Sequence, residues 1–508
     1  MSSSRQPQYN PAEEDDVDSG PEMLDEDDAQ EVLDEGDPDG DVAMGSDDED
    51  EELVLHNDGI AYFDGHKDSV FAIAQHPLYP NLIATGGSEG EEDDAPGRGY
   101  VLDTSAAVSL RPVLPPSYSS DPSSSSPQQP TELQPIFAIE GHTDSINALA
   151  FTLPKGDFLV SGGMDGRLRV YGVDIKGNQA QFPFLAESRE TEEINWLAPC
   201  PSADYPNTVA LGASDGSVWV FTVDPTDLAN PVRIVQSYFL HTGSCTAGAW
   251  TPNGQLLATV SEDSSLHVFD VWGAAAAKSL VTDNGQTVVS LTEADQRFVV
   301  EGGLYSVAVS PSGGTVAVGG AGGAIRIVRL PILSTTSQTN PQQQKGGKKS
   351  ATAGEVQAGT ILASLNVQTD GIESLAFSPA PATLLAAGSV DGSIAVFDAA
   401  RSFAVRKHLK TAHDGESVVK IEFVRSATQP GTAGWLLTSA GMDGVVRRWD
   451  LRGATASATG TAATGMVKEW RGHRGGGEGG GILGFVQGET GERVVTAGDD
   501  SVVIVFEA

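Results

Sequence analysis

The sequence predicts an all-β protein, built as eight short antiparallel sheets closed into one ring. Two observations carry that prediction. The first is a frame that keeps returning. In Ser161-Gly162-Gly163-Met164-Asp165-Gly166-Arg167-Leu168-Arg169-Val170-Tyr171, an acid and a small residue are followed by alternating apolar positions that end on an aromatic. The acid recurs as Asp215, Asp263, Asp391, Asp443 and Asp500, and in all six copies an aromatic follows it by six residues: Tyr171, Phe221, Phe269, Phe397, Trp449 and Phe506. The second is a further apolar run upstream of each frame, as in residues 146–151, 194–197, 372–377 and 418–423.

Each element follows from this pattern. Asp-Gly between two alternating apolar runs suits a tight hairpin whose glycine takes positive φ. Two more copies are degenerate. Residues 318–328 have Gly322 in place of the acid, and Thr85-Gly86-Gly87-Ser88-Glu89 is interrupted by acids before Tyr100-Val101-Leu102. With the upstream run, one unit holds three or four strands and cannot bury both its faces alone. Eight such units at roughly 40 residues each resemble the blades of an eight-bladed WD40 β-propeller. In that family a His, a Ser or Thr, an Asp and a Trp form a buried hydrogen-bond chain. His66, His142 and His413 precede apolar runs here, and only His413, Ser439, Asp443 and Trp449 supply all four residues. The resemblance implies that those four staple a blade.

In chain order, residues 1–58 read as a disordered acidic tail, with 23 acids and one base. Such a segment repels itself and has little to bury. Residues 59–508 read as the propeller. Residues 60–63 belong to no hairpin of their own. A ring must hide its edge strands, so this run is expected to be the outer strand of the last blade, beside residues 502–506. Low-complexity insertions are expected near 104–134 (Ser and Pro), 334–359 (Gln, Gly, Lys and Thr) and 453–481 (Ala, Thr and Gly over 453–465, nearly all Gly over 475–481).

Charge narrows the class of partner. The chain of 508 residues has 70 acids, 30 bases and a net charge of −40. The tail accounts for −22 and the remainder for −18, so the propeller itself is acidic. Phosphate backbones and anionic membranes need clustered Lys and Arg, so no direct nucleic acid and no membrane is expected, and a basic protein partner is favoured. The two cysteines, Cys200 and Cys245, have neither metal spacing nor disulfide density, which fits a reducing compartment. The expected protein is a cytoplasmic monomer, with nuclear entry left open.

A search for chemistry finds none. His66-Lys67-Asp68-Ser69 and His142-Thr143-Asp144-Ser145 contain triad residue types, but neighbours on one extended turn do not converge as a triad. His-Glu-x-x-His, paired Cys-x-x-Cys and phosphate-loop patterns do not occur. Cys245 aligns with Ile146 of another repeat and reads as a buried apolar position. No catalytic residue, cofactor or metal is therefore expected. What remains is a binding rim. Two repeat positions should reach it: the residue before the hairpin acid (Met164, Ser214, Glu262, Val390, Met442, Asp499) and the start of the inner strand (Phe71, Asn147, Asn195, Glu373). Acids that a blade does not need gather there. Glu373, Asp499, Glu262, Glu193, Asp144 and Asp68 are the expected partner-binding set, with Phe71, Trp196 and Tyr305 as apolar supports. Glu373 and Asp499 are expected to have free carboxylates.

Three segments narrow the family. They are Tyr62-Phe63-Asp64-Gly65-His66-Lys67-Asp68-Ser69-Val70-Phe71-Ala72-Ile73, Glu192-Glu193-Ile194-Asn195-Trp196-Leu197 with Gly212-Ala213-Ser214-Asp215-Gly216-Ser217-Val218-Trp219, and Val495-Thr496-Ala497-Gly498-Asp499 through Phe506. Together with the acidic tail they resemble the fungal WD-repeat dedicated chaperones of large-subunit ribosomal protein L-ten. They are similar, less closely, to the angio-associated migratory cell protein group. The first resemblance implies a non-enzymatic ribosome biogenesis factor. It would capture the basic N-terminal segment of the newly made, even nascent, ribosomal protein and hold it soluble until the pre-60S subunit takes it. The alternative is a generic WD40 interaction scaffold or adaptor whose acidity serves solubility.

Overall fold

The computed structural model describes residues 57–90, 95–107, 130–177, 179–227, 229–333, 357–426, 432–453, 465–475 and 479–508. The acidic tail up to residue 56, residues 108–129 and residues 334–356 lie outside the described residues.

Eight antiparallel sheets stand in a closed ring. The innermost strands are Ala72–Gln75, Ile146–Phe151, Ile194–Pro199, Cys245–Trp250, Leu304–Val309, Ile372–Phe377, Val418–Phe423 and Ile482–Val486, for blades 1 to 8. Each touches the inner strand of the blade before and after it, and the eighth touches the first. The repeated frame becomes the second and third strands of a blade, as in Phe158–Gly163 and Arg167–Gly172. The glycine after the acid does what the hairpin requires: Gly166 and Gly444 have φ of 71° and 73°. Ser264 and Ser501 hold the same slot at φ of 61° and 63°, a conformation that an L side chain adopts at some cost.

The core lies between blades. Eight separate apolar clusters fill the eight seams, each drawing on two neighbouring blades. Ile146, Leu159 and Tyr171 of blade 2 meet Ala84, Val101 and Ile139 of blade 1, and Trp449 and Phe423 of blade 7 meet Val396 and Leu384 of blade 6. This is the physical reason that one repeat cannot fold alone: its two faces are halves of two different cores.

Closure uses both chain ends. Ala61–Phe63 pairs antiparallel with Val503–Glu507, with Ala61 opposite Val505 and Phe63 opposite Val503. Thr131–Glu132 then adds in parallel beside Ala61 and Tyr62, which covers what would otherwise be the blade's outer edge. The other blades end differently. In seven outermost strands one residue is skipped in the pairing, for example Ile136, Leu362 and Val467. Such bulges twist a sheet edge away from foreign strands.

Two insertions differ from their expected extents. Both feet of the 104–134 stretch are built into the ring. Ala107 and Leu133 are buried in the seam between blades 8 and 1, and the Arg493 guanidinium donates to the carbonyls of Thr104 and Ala107 at 2.9 and 3.0 Å. The 453–481 stretch is not one insertion. Met466–Arg471 is the outer strand of blade 7, Trp470 is buried in the next seam, and His473 is a blade staple. Composition hid this strand because an Ala, Thr and Gly run precedes it and a Gly-rich run follows it.

Candidate functional site

The histidines come first, because their geometry decides whether the molecule has chemistry. His413 bonds Asp443 through Nδ1 and Ser439 through Nε2, both at 2.8 Å, and Trp449 Nε1 donates to the same Ser439 hydroxyl at 2.8 Å. His142 does the same with Asp165 and Ser161, and His473 with Asp500 and Thr496. His241 reaches Thr259 and Ser265. In blade 6, Gln368 stands where the histidine would and donates to Ser393. Sequence reading missed His241, His473 and Gln368 as staples. The spacing from histidine to its Ser or Thr varies from 18 to 26 residues, so the usable signal is the pairing with the hairpin acid rather than a fixed distance.

In these chains each histidine has both ring nitrogens engaged. Burial alone would raise the carboxyls of Asp165, Asp443 and Asp500. The hydrogen bonds from His142, His413 and His473, together with backbone N–H groups at Asp165 and Asp500 and the Arg447 guanidinium at Asp443, outweigh it and hold all three below the usual carboxylate range. These are structural hydrogen-bond chains. Among the described residues, no group of three His, Cys, Asp or Glu could hold a metal. Cys245 is buried, and burial pushes its thiol up, away from nucleophilic chemistry.

Two buried histidines outside these complete chains give a pH dependence. Burial pushes His66 down to about 4, and burial together with the neighbouring His241 pushes His267 down to about 4. Both stay neutral in the fold while the unfolded chain protonates near pH 6.5, so between pH 6.5 and about 4 stability rises with pH. Lowering the pH from 7.5 to 5 is expected to cost about 2 kcal/mol per histidine. The depressed aspartates contribute only below that window. Thermal melting of the wild type and His267→Phe at pH 7.5, 6 and 5 checks this. The variant should lose fewer degrees, and parallel curves would contradict the assignment.

The rim is built by two recurring backbone devices. In blades 2 to 8 the inner strand skips one residue near its start, so that Asn147, Asn195, Thr246, Tyr305, Glu373, Val419 and Leu483 fall out of register with the second strand. Phe71 is the equivalent in blade 1, one residue before Ala72 pairs with Gly86. A bulge re-aims its side chain. The residue before each hairpin acid folds over the same place. The N–H groups of Met164, Ser214, Glu262, Val390, Met442 and Asp499 donate to the carbonyls of Ser145, Glu193, Ser244, Gly371, Ser417 and Gly481, each just before its own inner strand. The two predicted sets of rim positions therefore meet on one face of the ring.

The individual residues differ. Glu373 is exposed on its bulge. Burial of its surroundings and then Asp370 push its carboxyl up, and neither acid makes an ion pair with a described residue. Tyr305, Val390 and the Glu373 carboxylate gather around Gly371. Asp499 is not free, contrary to expectation. Its carboxylate accepts from Ser69 Oγ at 2.5 Å and from the Gly479 N–H at 2.6 Å, which ties blade 8 to blade 1. Asp68 and Asp144 each accept the next residue's N–H at 2.7 Å through Oδ1. Asp68 converges with Asp499 on Ser69. Glu193 is half-buried and Glu262 is exposed, in blades 3 and 4. Phe71 is 42% exposed. Trp196 is not an open apolar support. Its ring is wedged against Gly212 and Gly248, where any side chain would collide with it, and its Nε1 donates to Cys245 O at 3.1 Å. The acids are thus distributed around the ring, and of the six predicted ones Glu373 and Glu262 are exposed with carboxylates that pair with no described residue.

Comparison with known proteins agrees with this architecture. The WD domain, G-beta repeat family matches residues 133–172, 233–270 and 359–398. Ribosome assembly protein SQT1 of Saccharomyces cerevisiae is 28% identical over 324 residues, which covers 60% of this chain and 63% of that relative, short of two thirds of its length. The crystal structure of Chaetomium thermophilum Sqt1 is 67% identical, with a TM-score of 0.77, over 89% of this chain and 98% of that one. The same protein bound to the N-terminus of ribosomal protein L10 is 66% identical, with a TM-score of 0.76, over 89% of this chain and 100% of that one.

Proposed function

The chain belongs to the Sqt1 family of WD-repeat proteins, and on that premise we propose that it is a ribosome assembly chaperone that captures the basic N-terminal segment of newly made ribosomal protein L10. One observation carries the reading: a chain that is 66% identical, and is covered over its full length by this one, has been solved with that segment bound. The physics of the rim supports it. A basic extension with few apolar residues cannot fold alone and adheres to RNA. An acidic ring competes for it, since opposite charge speeds encounter and suppresses wrong partners. We place this work in the cytoplasm, where the client is made, and assign the propeller no catalytic role.

Glu373 is the carboxylate to test. Asp499→Lys would remove the acceptor of Ser69 and Gly479, so it would disturb the blade 8 to blade 1 junction as well as the charge. Glu373→Lys touches no hydrogen bond among the described residues. An exposed pair is worth about 0–1 kcal/mol, but reversal adds repulsion to the lost attraction. An affinity loss of about tenfold or more, roughly 1.4 kcal/mol, is expected, with Glu373→Gln in between and melting unchanged. Calorimetry of the L10 N-terminal peptide at 0.05 and 0.3 M salt checks it, and wild-type affinity should fall with salt. Glu373→Lys binding like wild type would move the site elsewhere on the ring. The scaffold reading would gain if tagged protein captured many acidic or neutral partners and no dominant small basic one.

A further inference from the structure

The bulged position of the inner strand divides the ring into two unequal arcs. In blades 2, 3 and 4 it has a structural duty. Asn147 donates to Ile194 O at 3.0 Å, Asn195 to Cys245 O at 3.0 Å and Thr246 to Leu304 O at 2.7 Å. Each of these side chains locks its blade to the first inner-strand carbonyl of the next. From blade 5 onward the lock moves one residue along. Ser306 donates to Ile372 O at 2.7 Å, Ser374 accepts the Ile421 N–H at 3.0 Å, and Lys420 donates to Phe485 O at 2.7 Å. In blade 8 the following residue is Gly484, packed beside Ile73. Tyr305, Glu373, Val419, Leu483 and Phe71 are thereby released from holding the seams.

What they present is chemically mixed. Val419 and Leu483 are half-buried and Phe71 is exposed, yet none of the three takes part in any of the eight seam cores. They are apolar side chains outside the seam cores, at the same bulged position of consecutive blades, and they follow the blade of Glu373 and Asp370, neither of which has an ion-pair partner among the described residues. Met442 extends the same surface by packing over Gly481. An arc of this kind cannot be satisfied by a purely cationic peptide. Charge complementarity calls for Lys or Arg opposite Glu373, and desolvation of Val419 and Leu483 calls for an apolar or aromatic side chain beside them.

We propose that blades 5 to 8 and blade 1 form a contiguous recognition arc whose Val419–Leu483–Phe71 patch seats a bulky apolar residue of the extended basic segment, while blades 2 to 4 stay closed to it. The assignment rests on the client reading above and adds what the client must carry: an aromatic or aliphatic anchor between its basic residues. Val419 and Leu483 lie outside the seam cores, so replacing them by serine is expected to leave the fold intact, which thermal melting of the variant checks.

The test uses the full chain and the L10 N-terminal peptide, titrated by calorimetry at 0.05 and 0.5 M salt. Val419→Ser combined with Leu483→Ser is expected to weaken binding at least tenfold at low salt and to abolish the residual binding at high salt, where apolar contact dominates. Met164→Ser, an exposed rim change in blade 2, is expected to bind like wild type. A peptide with its apolar residues changed to serine should bind the wild type weakly and lose little more against the double variant. Wild-type affinity in the double variant, with Glu373→Lys still defective, would overturn the apolar patch and leave a purely electrostatic rim. Equal losses in Met164→Ser and the double variant would overturn the division into arcs. No binding by the wild type at either salt concentration would overturn the client reading and this assignment together.

Discussion

Deleting residues 1–65 is expected to yield an aggregating protein, and deleting residues 1–55 a soluble one with an unchanged melting temperature. The first cut removes Ala61–Phe63 and bares the third strand of blade 8, Val503–Glu507, along its length. It also takes Ile60 and Phe63, each 4% exposed, out of the seam between blades 8 and 1. Two buried side chains of that size contribute about 1.5–3 kcal/mol each, before counting the ladder to Val505 and the support lent to Thr131–Glu132. The whole fold is stable by only about 5–15 kcal/mol, and an open apolar edge recruits other chains. The second cut spares every described residue, including Asp58, whose N–H donates to Arg471 O at 2.8 Å and whose carboxylate accepts from Arg471 N at 2.9 Å. Size-exclusion chromatography and thermal melting of the two truncations decide it. Equal behaviour would mean that the ring closes without this strand.

Trp449→Ala is expected to destabilise the chain by about 3–5 kcal/mol. The indole is 3% exposed and packs with Phe423, Leu437 and Leu451 in the seam between blades 6 and 7, so its removal leaves a cavity lined by two blades. Its Nε1 donor serves the Ser439 hydroxyl, which His413 also contacts. Trp449→Phe keeps most of the volume and loses only that donor, which costs about 1 kcal/mol. Blades 2, 4 and 8 make the comparison direct. Their staples end on Tyr171, Phe269 and Phe506, and the histidine contacts persist without an indole. Melting of both variants should therefore show a large loss for alanine and a small one for phenylalanine. Equal losses would mean that the hydrogen-bond chain, rather than packing, holds the blade.

Much of this was legible in the residues themselves. Hairpins, their glycines and their apolar alternation depend on neighbours a few positions apart, so Asp165-Gly166 and Asp443-Gly444 announce their turns locally. The count of eight and the use of residues 60–63 as the last blade's outer strand follow from the same periodicity plus the need to hide an edge. The acidity of the ring, and hence the class of partner, needs no structure at all. Other features depend on what the ring brings together. Asp499 reads as a spare carboxylate until closure sets it against Ser69, 430 positions away. Trp196 reads as a rim aromatic until blade 4 arrives with Gly248 to receive its ring. His473 reads as part of a glycine-rich stretch until Thr496 and Asp500 fold around it. The division of the rim into a locked arc and an open one is equally invisible in the chain. A bulge is a difference of one residue in register between two paired strands, and a seam bond joins two blades. Local pattern therefore specified the blades, and only their assembly decided which rim side chains hold the ring together and which remain for a partner.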